Sequence, residues 1–483
     1  MKSIKMRGIC AAVTGALLFG FGANAMADST TDIVNALVAK GVLTEEEGAL
    51  LNKGREGEAA GQAKALKKAS KLSVSDAIDN AKIYGDIRAR YERRDGDASS
   101  TGVNTDSNRA RYKITLGVET KAGDWYSDLA MAMGKGGRSD NVSFGDGGVG
   151  ADAGMSTKDS AILYLKRATL GWNVTPWLAV EAGRMKNPLY MVNAMVFDHD
   201  IVTEGLQEKL NYKLGETNLF ANFGQWVYSG KEVASSNGGT TTTARQNMLL
   251  AFQAGAEQAF IADKLSAKGA IGYYSYTGNP VGQGLANFAP TLASATTITG
   301  ASTATVAGTQ ATNNLNILDI PFELDYMITP SIGVKPYAEY AVNTSGSDRY
   351  NAACAAAPTV CGLGNDDSAW LVGLTVGSAK DLKSFMAKKM AKGDWSANLW
   401  YQSVGAYALD PNAVDSDIMD GRLNMEGTTL KAQYNVEDNV ALNFTGAWGD
   451  RKNNNYAGFG PKVDISGPIS KYNLYQFDVT YKF

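Results

Sequence analysis

The chain has 483 residues, with 46 Lys+Arg against 49 Asp+Glu, one His and three Cys. The near-balanced charge, spread along the whole length, gives no basic footprint for nucleic acid. One histidine leaves no spare base for a Ser-His-Asp site. The length exceeds a typical single globular domain, and 53 Gly, 22 Tyr and 8 Trp beside only 11 Pro lean toward one large barrel rather than several soluble domains.

Residues 1–27 have the pattern of a secretory signal peptide. Lys2, Lys5 and Arg7 form a basic start, and Ile9 to Phe21 is an apolar run too short to span a bilayer as a helix. Ala25-Met26-Ala27 is a small-x-small cleavage site, and Cys10 is not read as a lipoprotein cysteine. Removing three cations and no anions takes the formal charge from −3 to −6. No other stretch approaches eighteen consecutive apolar residues. An exported chain of this kind either stays soluble or crosses a membrane with strands, the other way to satisfy backbone groups in lipid.

Residues 28–80 have helical period. Ile33, Val34, Leu37 and Val38 recur at helical spacing and Gly41 stops that helix. Thr44 with Glu47 makes a capping box before Leu50 and Leu51. The expectation is a periplasmic helical, coiled-coil-like segment that docks on copies of itself or on a barrel mouth, or else a flexible leader. Lys64, Lys67, Lys68 and Lys71 suit either an anionic wall polymer or plain solvation.

From Ile83 the period becomes two. Ile83, Ile87, Ala89 and Tyr91 alternate with Tyr84, Asp86, Arg88, Arg90 and Glu92. The last stretch is the clearest: Tyr475, Phe477, Val479, Tyr481 and Phe483 share one parity, with Gln476, Asp478, Thr480 and Lys482 on the other. One face suits lipid between aromatic girdles and the other a wet lumen. About sixteen such strands begin near residues 82, 109, 125, 162, 177, 203, 217, 247, 265, 315, 331, 368, 395, 422, 439 and 472. Their connections alternate between tight turns, such as Asn173-Val174-Thr175-Pro176 and Ile328-Thr329-Pro330, and long polar loops. The exception is Ala379 to Asp394, a Lys-rich, helical segment where a short turn belongs. The expected fold is all-β: a transmembrane antiparallel barrel of about 16 strands (alternatively 18) over residues 81–483, with both termini periplasmic. Side chains cannot fill so wide a lumen, so it holds water.

Several positions are candidates for function. The first strands point Arg88, Arg90, Arg109, Arg111 and Lys113 inward, and the strands near 315 and 331 point Asp319, Glu323, Asp325 and Glu339 inward. In a sixteen-strand barrel these sets face each other, which predicts a transverse field across the pore. Loop 185–201 carries Met191, Val192, Met195, Val196 and Phe197, too apolar for a free external loop, followed by Asp198, His199, Asp200 and Glu204. It is the expected constriction, the competing reading being a contact with a neighbouring subunit. Asp198, His199 and Asp200 are too few for a convincing metal site. Cys354 and Cys361 predict a disulfide stapling an external loop. Gly147 to Asp152 matches the Ca²⁺ nonapeptide core once, and such sites need stacked repeats. Thr291 to Thr312 reads as an external loop of low complexity. No phosphate-binding loop or nucleophile elbow is present, and neither enzyme activity nor a cofactor is expected.

Several blocks resemble outer-membrane porins of the delta-proteobacterial type: Leu37 to Glu47, Gly85 to Glu92, Arg109 to Lys113, Gly183 to Pro188, Phe197 to Ile201, Gly393-Asp394-Trp395 and Asp415-Ser416-Asp417. The resemblance implies a channel for ions and small hydrophilic solutes in the Gram-negative outer membrane. Expected partners are outer-membrane lipids, those solutes and, through residues 28–80, the cell wall. None of the blocks encodes a subunit contact, so a homotrimer stays open. Two other readings compete: a structural barrel sheathing an electron-transfer partner, and a surface receptor or adhesin acting through the long loops.

Overall fold

Alternating polarity becomes a wall of antiparallel strands. The computed structural model describes residues 78–98, 104–134, 139–145, 162–229, 235–237, 240–242, 247–277, 315–356, 358, 361–456, 464–465 and 469–483. The expected signal peptide and nearly all of the expected helical segment lie outside them, as do Gly147 to Asp152 and Thr291 to Thr312. The described residues belong to one unit, Ala77–Phe483.

Sixteen long strands make the wall among these residues: β1 (Asn80–Ala98), β2 (Asn104–Ala122), β3 (Trp125–Gly134), β4 (Ile162–Thr175), β5 (Leu178–Lys186), β6 (Val202–Leu214), β7 (Thr217–Ser229), β8 (Asn247–Ile261), β9 (Leu265–Tyr276), β10 (Asn316–Thr329), β11 (Ile332–Asn343), β12 (Ser368–Ser378), β13 (Trp395–Val404), β14 (Met425–Glu437), β15 (Val440–Arg451) and β16 (Ile469–Lys482). The two-residue strand Val142–Ser143 extends the wall beside β2. The largest disagreement with the expected starts is at β2, which begins at Asn104 rather than near 109.

Each strand pairs with its chain neighbours, and β1 pairs with both β2 and β16, which closes the cylinder. Closure leaves no open edge. At the seam the Gly85 N–H donates to the Phe483 carbonyl at 3.0 Å and the Phe483 N–H donates back at 3.1 Å. A Cβ on Gly85 would lie 2.6 Å from the Phe483 ring, so only glycine lets the last aromatic side chain cross the seam.

Polarity is inverted relative to a soluble protein. Ile83, Ile87, Tyr91, Phe477, Val479 and Tyr481 are exposed on the outer face, while Arg90, Glu92, Arg94, Gln476 and Asp478 are buried inside. The inner face is not polar throughout, however. Trp226, Tyr274, Ile317, Leu371, Trp400 and Met425 also face in, and they join one buried apolar cluster with residues from two loops. Those loops, 187–201 and 405–424, fold into the barrel from the long-loop end.

Two smaller features depart from a plain barrel. Cys354, on α1 (Gly346–Ala356), is disulfide-bonded to Cys361. At the short-turn end, residues 379–394 form α2 (Leu382–Met386) and a following turn that lines the lumen.

Candidate functional site

Loop 187–201 meets the wall through its apolar residues. Phe197 packs edge-on against Tyr274, with ring centroids 5.0 Å apart. The Gln253 side chain accepts from the Tyr190 N–H at 2.7 Å and donates to its carbonyl at 2.9 Å. A partner that both donates and accepts holds an irregular backbone as a strand ladder would. The loop is then tied to its neighbour: the Asp198 N–H donates to the Ala413 carbonyl at 2.7 Å, and the Ser416 N–H donates to the Asp198 carboxylate at 3.0 Å.

The second loop brings Asp417 onto the arginines of β1. Its carboxylate accepts from Arg90 and from Arg94, each at 2.8 Å. Burial alone would raise the Asp417 carboxyl, but Arg90 and Arg94 hold it well below the usual carboxylate range. Arg94, fully buried, also lies 3.2 Å from Asp420, 3.1 Å from Asp464 and 3.4 Å from Glu92.

The five expected basic residues share one side of the lumen, but most are neutralised where they stand. Arg90 makes a two-point pair with Asp478 at 2.7 and 3.1 Å. Arg109 bonds Asp464 at 2.6 Å, and Arg111 reaches Glu92 at 3.4 Å and the Asn141 carbonyl at 3.1 Å. Lys113 lies 3.4 Å from Asp140 and 3.7 Å from Asp200. Arg88 donates to Asn141 at 2.6 Å and has no carboxylate within ion-pair range among the described residues.

The four expected acids divide into two pairs. Glu323 and Asp325 each sit 3.1 Å from Lys335. Asp319 and Glu339 are buried, and Asp319 accepts from the Tyr274 hydroxyl at 3.0 Å, beneath the ring that Phe197 covers. Only Glu323 of the four lines the large cavity. The acidic side is therefore not of one sign, since Lys268 and Lys335 line the same cavity there.

At the loop tip, Asp198, His199 and Asp200 line that cavity together. Asp200 lies 3.4 Å from Lys166 and 3.7 Å from Lys113, and although burial opposes its charge, these lysines hold its carboxyl below the ordinary range. Enclosure inside the barrel, then the charges of Lys431 and Lys388, lowers the His199 imidazole, although its side chain is exposed to the lumen. No grouping of three metal-ligating side chains occurs among the described residues.

Glu204 requires a correction. It lies on β6, not in the loop, directly opposite Arg184 on β5, and the two form an ion pair. Their register neighbours Ala182 and Leu206 share that face, and Leu206 is exposed while Gln207 and Glu181 are buried inside. Glu204 therefore points out of the lumen. Its place just after Asp198-His199-Asp200 concealed the start of the strand.

Sequence reasoning missed Lys166 and Arg167. The β3–β4 ladder pairs Ala130 with Arg167 and Met131 with Leu165, leaving Lys166 as a bulge. Both residues are consequently buried inside, Lys166 on Asp140 and Arg167 on Asp128 at 2.7 Å. Strict alternation assigns adjacent residues to opposite faces, and a bulge breaks that rule. Asp417, Lys388 and Lys431 were also missed as lining residues; of these, the Asp415-Ser416-Asp417 block was the one available signal.

Water-accessible space remains beside the loops. The large cavity, about 750 Å³, reaches from Arg88, Arg90 and Lys113 to Glu323 and Lys335. A cavity of about 410 Å³ lies between loop 187–201 and Lys166, Arg167 and Lys186, and shares Tyr190, Met191, His199 and Asp200 with the first. A third, of about 470 Å³, lies near the short-turn end, between Lys82, Glu119 and Lys121 and Glu181 and Lys209.

Residues 95–283 match the family described as "Putative porin". The match runs from the end of β1 past β9, a stretch of the closed sixteen-strand wall. No curated protein matches the chain. Among solved structures, the outer-membrane channel DcaP of Acinetobacter baumannii is similar at 15% identity, covering 85% of this chain and 99% of that one, with a TM-score of 0.41. The anion-selective porin from Comamonas acidovorans shares 10% identity over 84% of this chain and 99% of its own, with a TM-score of 0.42. OprB of Pseudomonas putida shares 11% identity over 83% and 94%, with a TM-score of 0.45.

Proposed function

We propose that the chain is a passive outer-membrane channel for ions and small hydrophilic solutes, with loop 187–201 as its constriction. The short-turn end, where β1 begins and β16 ends, is assigned to the periplasm, and the end carrying loops 187–201 and 405–424 to the outside. The observation that carries the reading is a charged cavity, about 750 Å³, enclosed by a closed wall and bounded by an inward-folded loop. A diffusion channel needs a water-filled bore narrowed at one level, with fixed charges where solutes pass. Asp200 on the loop stands 3.7 Å from Lys113 and 3.4 Å from Lys166 on the wall, so the transverse field of this reading runs between loop and wall rather than between two walls.

A sheath for an electron carrier needs an unobstructed bore, and the apolar packing of both loops inside the barrel disfavours it. Single-channel recording of the purified full-length protein in planar bilayers tests the reading. Discrete conductance steps in KCl are expected; their absence from correctly folded protein refutes the channel.

A further inference from the structure

Residues 379–394 occupy a position where the other connections at that end are tight turns, and they are built to deliver lysines into the lumen. Asp381 caps α2, its side chain accepting from the Ser384 N–H at 2.7 Å. Phe385 seats on Gly333 of β11, where a Cβ would lie 2.6 Å from its ring. Leu382 and Phe385 bury with Met327 and Ala379, which fixes the segment to the wall. The chain then turns at Lys388, whose φ of 51° is in the left-handed region that side chains other than Gly, Asn and Asp seldom adopt. A lysine kept in that conformation, on an anchored turn facing a cavity, points to a role for its charge.

The nearby acids are already engaged. Glu323 and Asp325 sit on Lys335, Asp200 on Lys113 and Lys166, and Asp417 on Arg90 and Arg94. Lys388 has no carboxylate in ion-pair range among the described residues, and Lys431 has only Asp415, at 4.0 Å. Both lysines line the large cavity with His199, whose imidazole feels both charges. Two lysines, one with no carboxylate in ion-pair range among the described residues and one only loosely paired, stand beside an imidazole in a partly enclosed space and form an electropositive spot that a small anion would neutralise.

We propose that Lys388 and Lys431, with His199 between loop and wall, form a binding site in the lumen for small divalent oxyanions. Enclosure in the barrel, then the charge of Lys335 and, more weakly, that of Lys431, lowers the Lys388 ammonium, with Glu323 and Asp325 opposing. The proposal deepens the channel reading by naming a solute class, and it rests on that reading for its role in transport.

The test is isothermal titration of the detergent-solubilised full-length barrel with sodium sulfate and with sodium succinate, against a sodium chloride background. Saturable binding of either is expected: of both if charge alone is read, of succinate only if the carboxylate is. Lys388→Asn, which keeps a side chain suited to the left-handed turn, and Lys431→Gln should each weaken binding about tenfold, the effect of one lost charge at contact range. Lys482→Gln removes a charge from another part of the same cavity and should leave affinity unchanged. Binding absent in the wild type, or equal in all four proteins, or lowered alike by all three substitutions, overturns the site. Conductance recorded in parallel separates this failure from that of the channel: a barrel that conducts KCl but binds neither anion loses only the site.

Discussion

Asp417→Asn should loosen the plug without unfolding the barrel. Asp417 ties loop 405–424 to the wall with two charge-assisted hydrogen bonds of 2.8 Å, to Arg90 and Arg94. Bonds to charged groups contribute about 1.5–3 kcal/mol each, but three things reduce the loss here. The Asp417 side chain is 28% exposed to the lumen. An asparagine oxygen still accepts one of the bonds. Neither arginine is orphaned, because Arg90 keeps Asp478 and Arg94 keeps Asp420, Asp464 and Glu92. The expected net cost is about 2 kcal/mol to the docked loop, against the 3–5 kcal/mol typical when a buried charge loses its sole partner. A shift of that size raises the undocked population roughly 30-fold. Loop 187–201 is hydrogen-bonded to the same segment through Asp198, so both should become more mobile. Single-channel recording should show frequent excursions to higher conductance, with heat stability of the barrel nearly unchanged. A variant with wild-type current noise and mean conductance refutes the claim that this carboxylate latches the loop.

Phe197→Ala removes a side chain only 2% exposed and its edge-on contact with Tyr274. It should cost the docked loop about 3–5 kcal/mol and raise mean conductance, measured in the same bilayers. Arg88→Glu reverses a lumen cation with no ion pair to break among the described residues, so zero-current potentials in a KCl gradient should move toward cation preference; unchanged potentials would remove the field from the account. His199 is held below its ordinary pKa by enclosure inside the barrel, then by Lys431 and Lys388, with Asp198 and Asp200 opposing. The unfolded chain therefore binds the proton first, and stability present above about pH 6.5 is lost as pH falls through that value. The difference in guanidinium midpoint between the wild type and His199→Gln, followed in detergent from pH 7.5 to 5.5, should show that slope, because groups common to both proteins cancel. Asp200, held low by Lys113 and Lys166, titrates below this window and does not confuse the result.

The barrel was legible because a wall one residue thick has a period of two, and lipid and water sort side chains at every step. The alternation from Ile83 to Tyr91 and from Tyr475 to Phe483 set the faces, and the rhythm of short turns and long loops set the strand count. The apolar run Met191 to Phe197 likewise announced a loop that could not stay in water. What packs against that loop was not legible. Trp226, Tyr274 and Trp400 lie far apart in the chain and join one buried cluster with Phe197 only once the cylinder closes.

The charge assignments divide along the same line. Parity alone put Arg88, Arg90, Arg111 and Lys113 inside, because inward and outward are local properties of a strand. Which acid neutralises which base is a property of the closed barrel: Arg90 meets Asp417 and Asp478 across more than three hundred residues of chain. The bulge at Lys166, the outward turn of Glu204 and the left-handed backbone at Lys388 depend on how neighbouring strands and turns settle against each other. Local polarity determined the wall. The plug and the ion pairs were decided by tertiary contact, because an electrostatic or packing partner is chosen by distance in space and not by position in sequence.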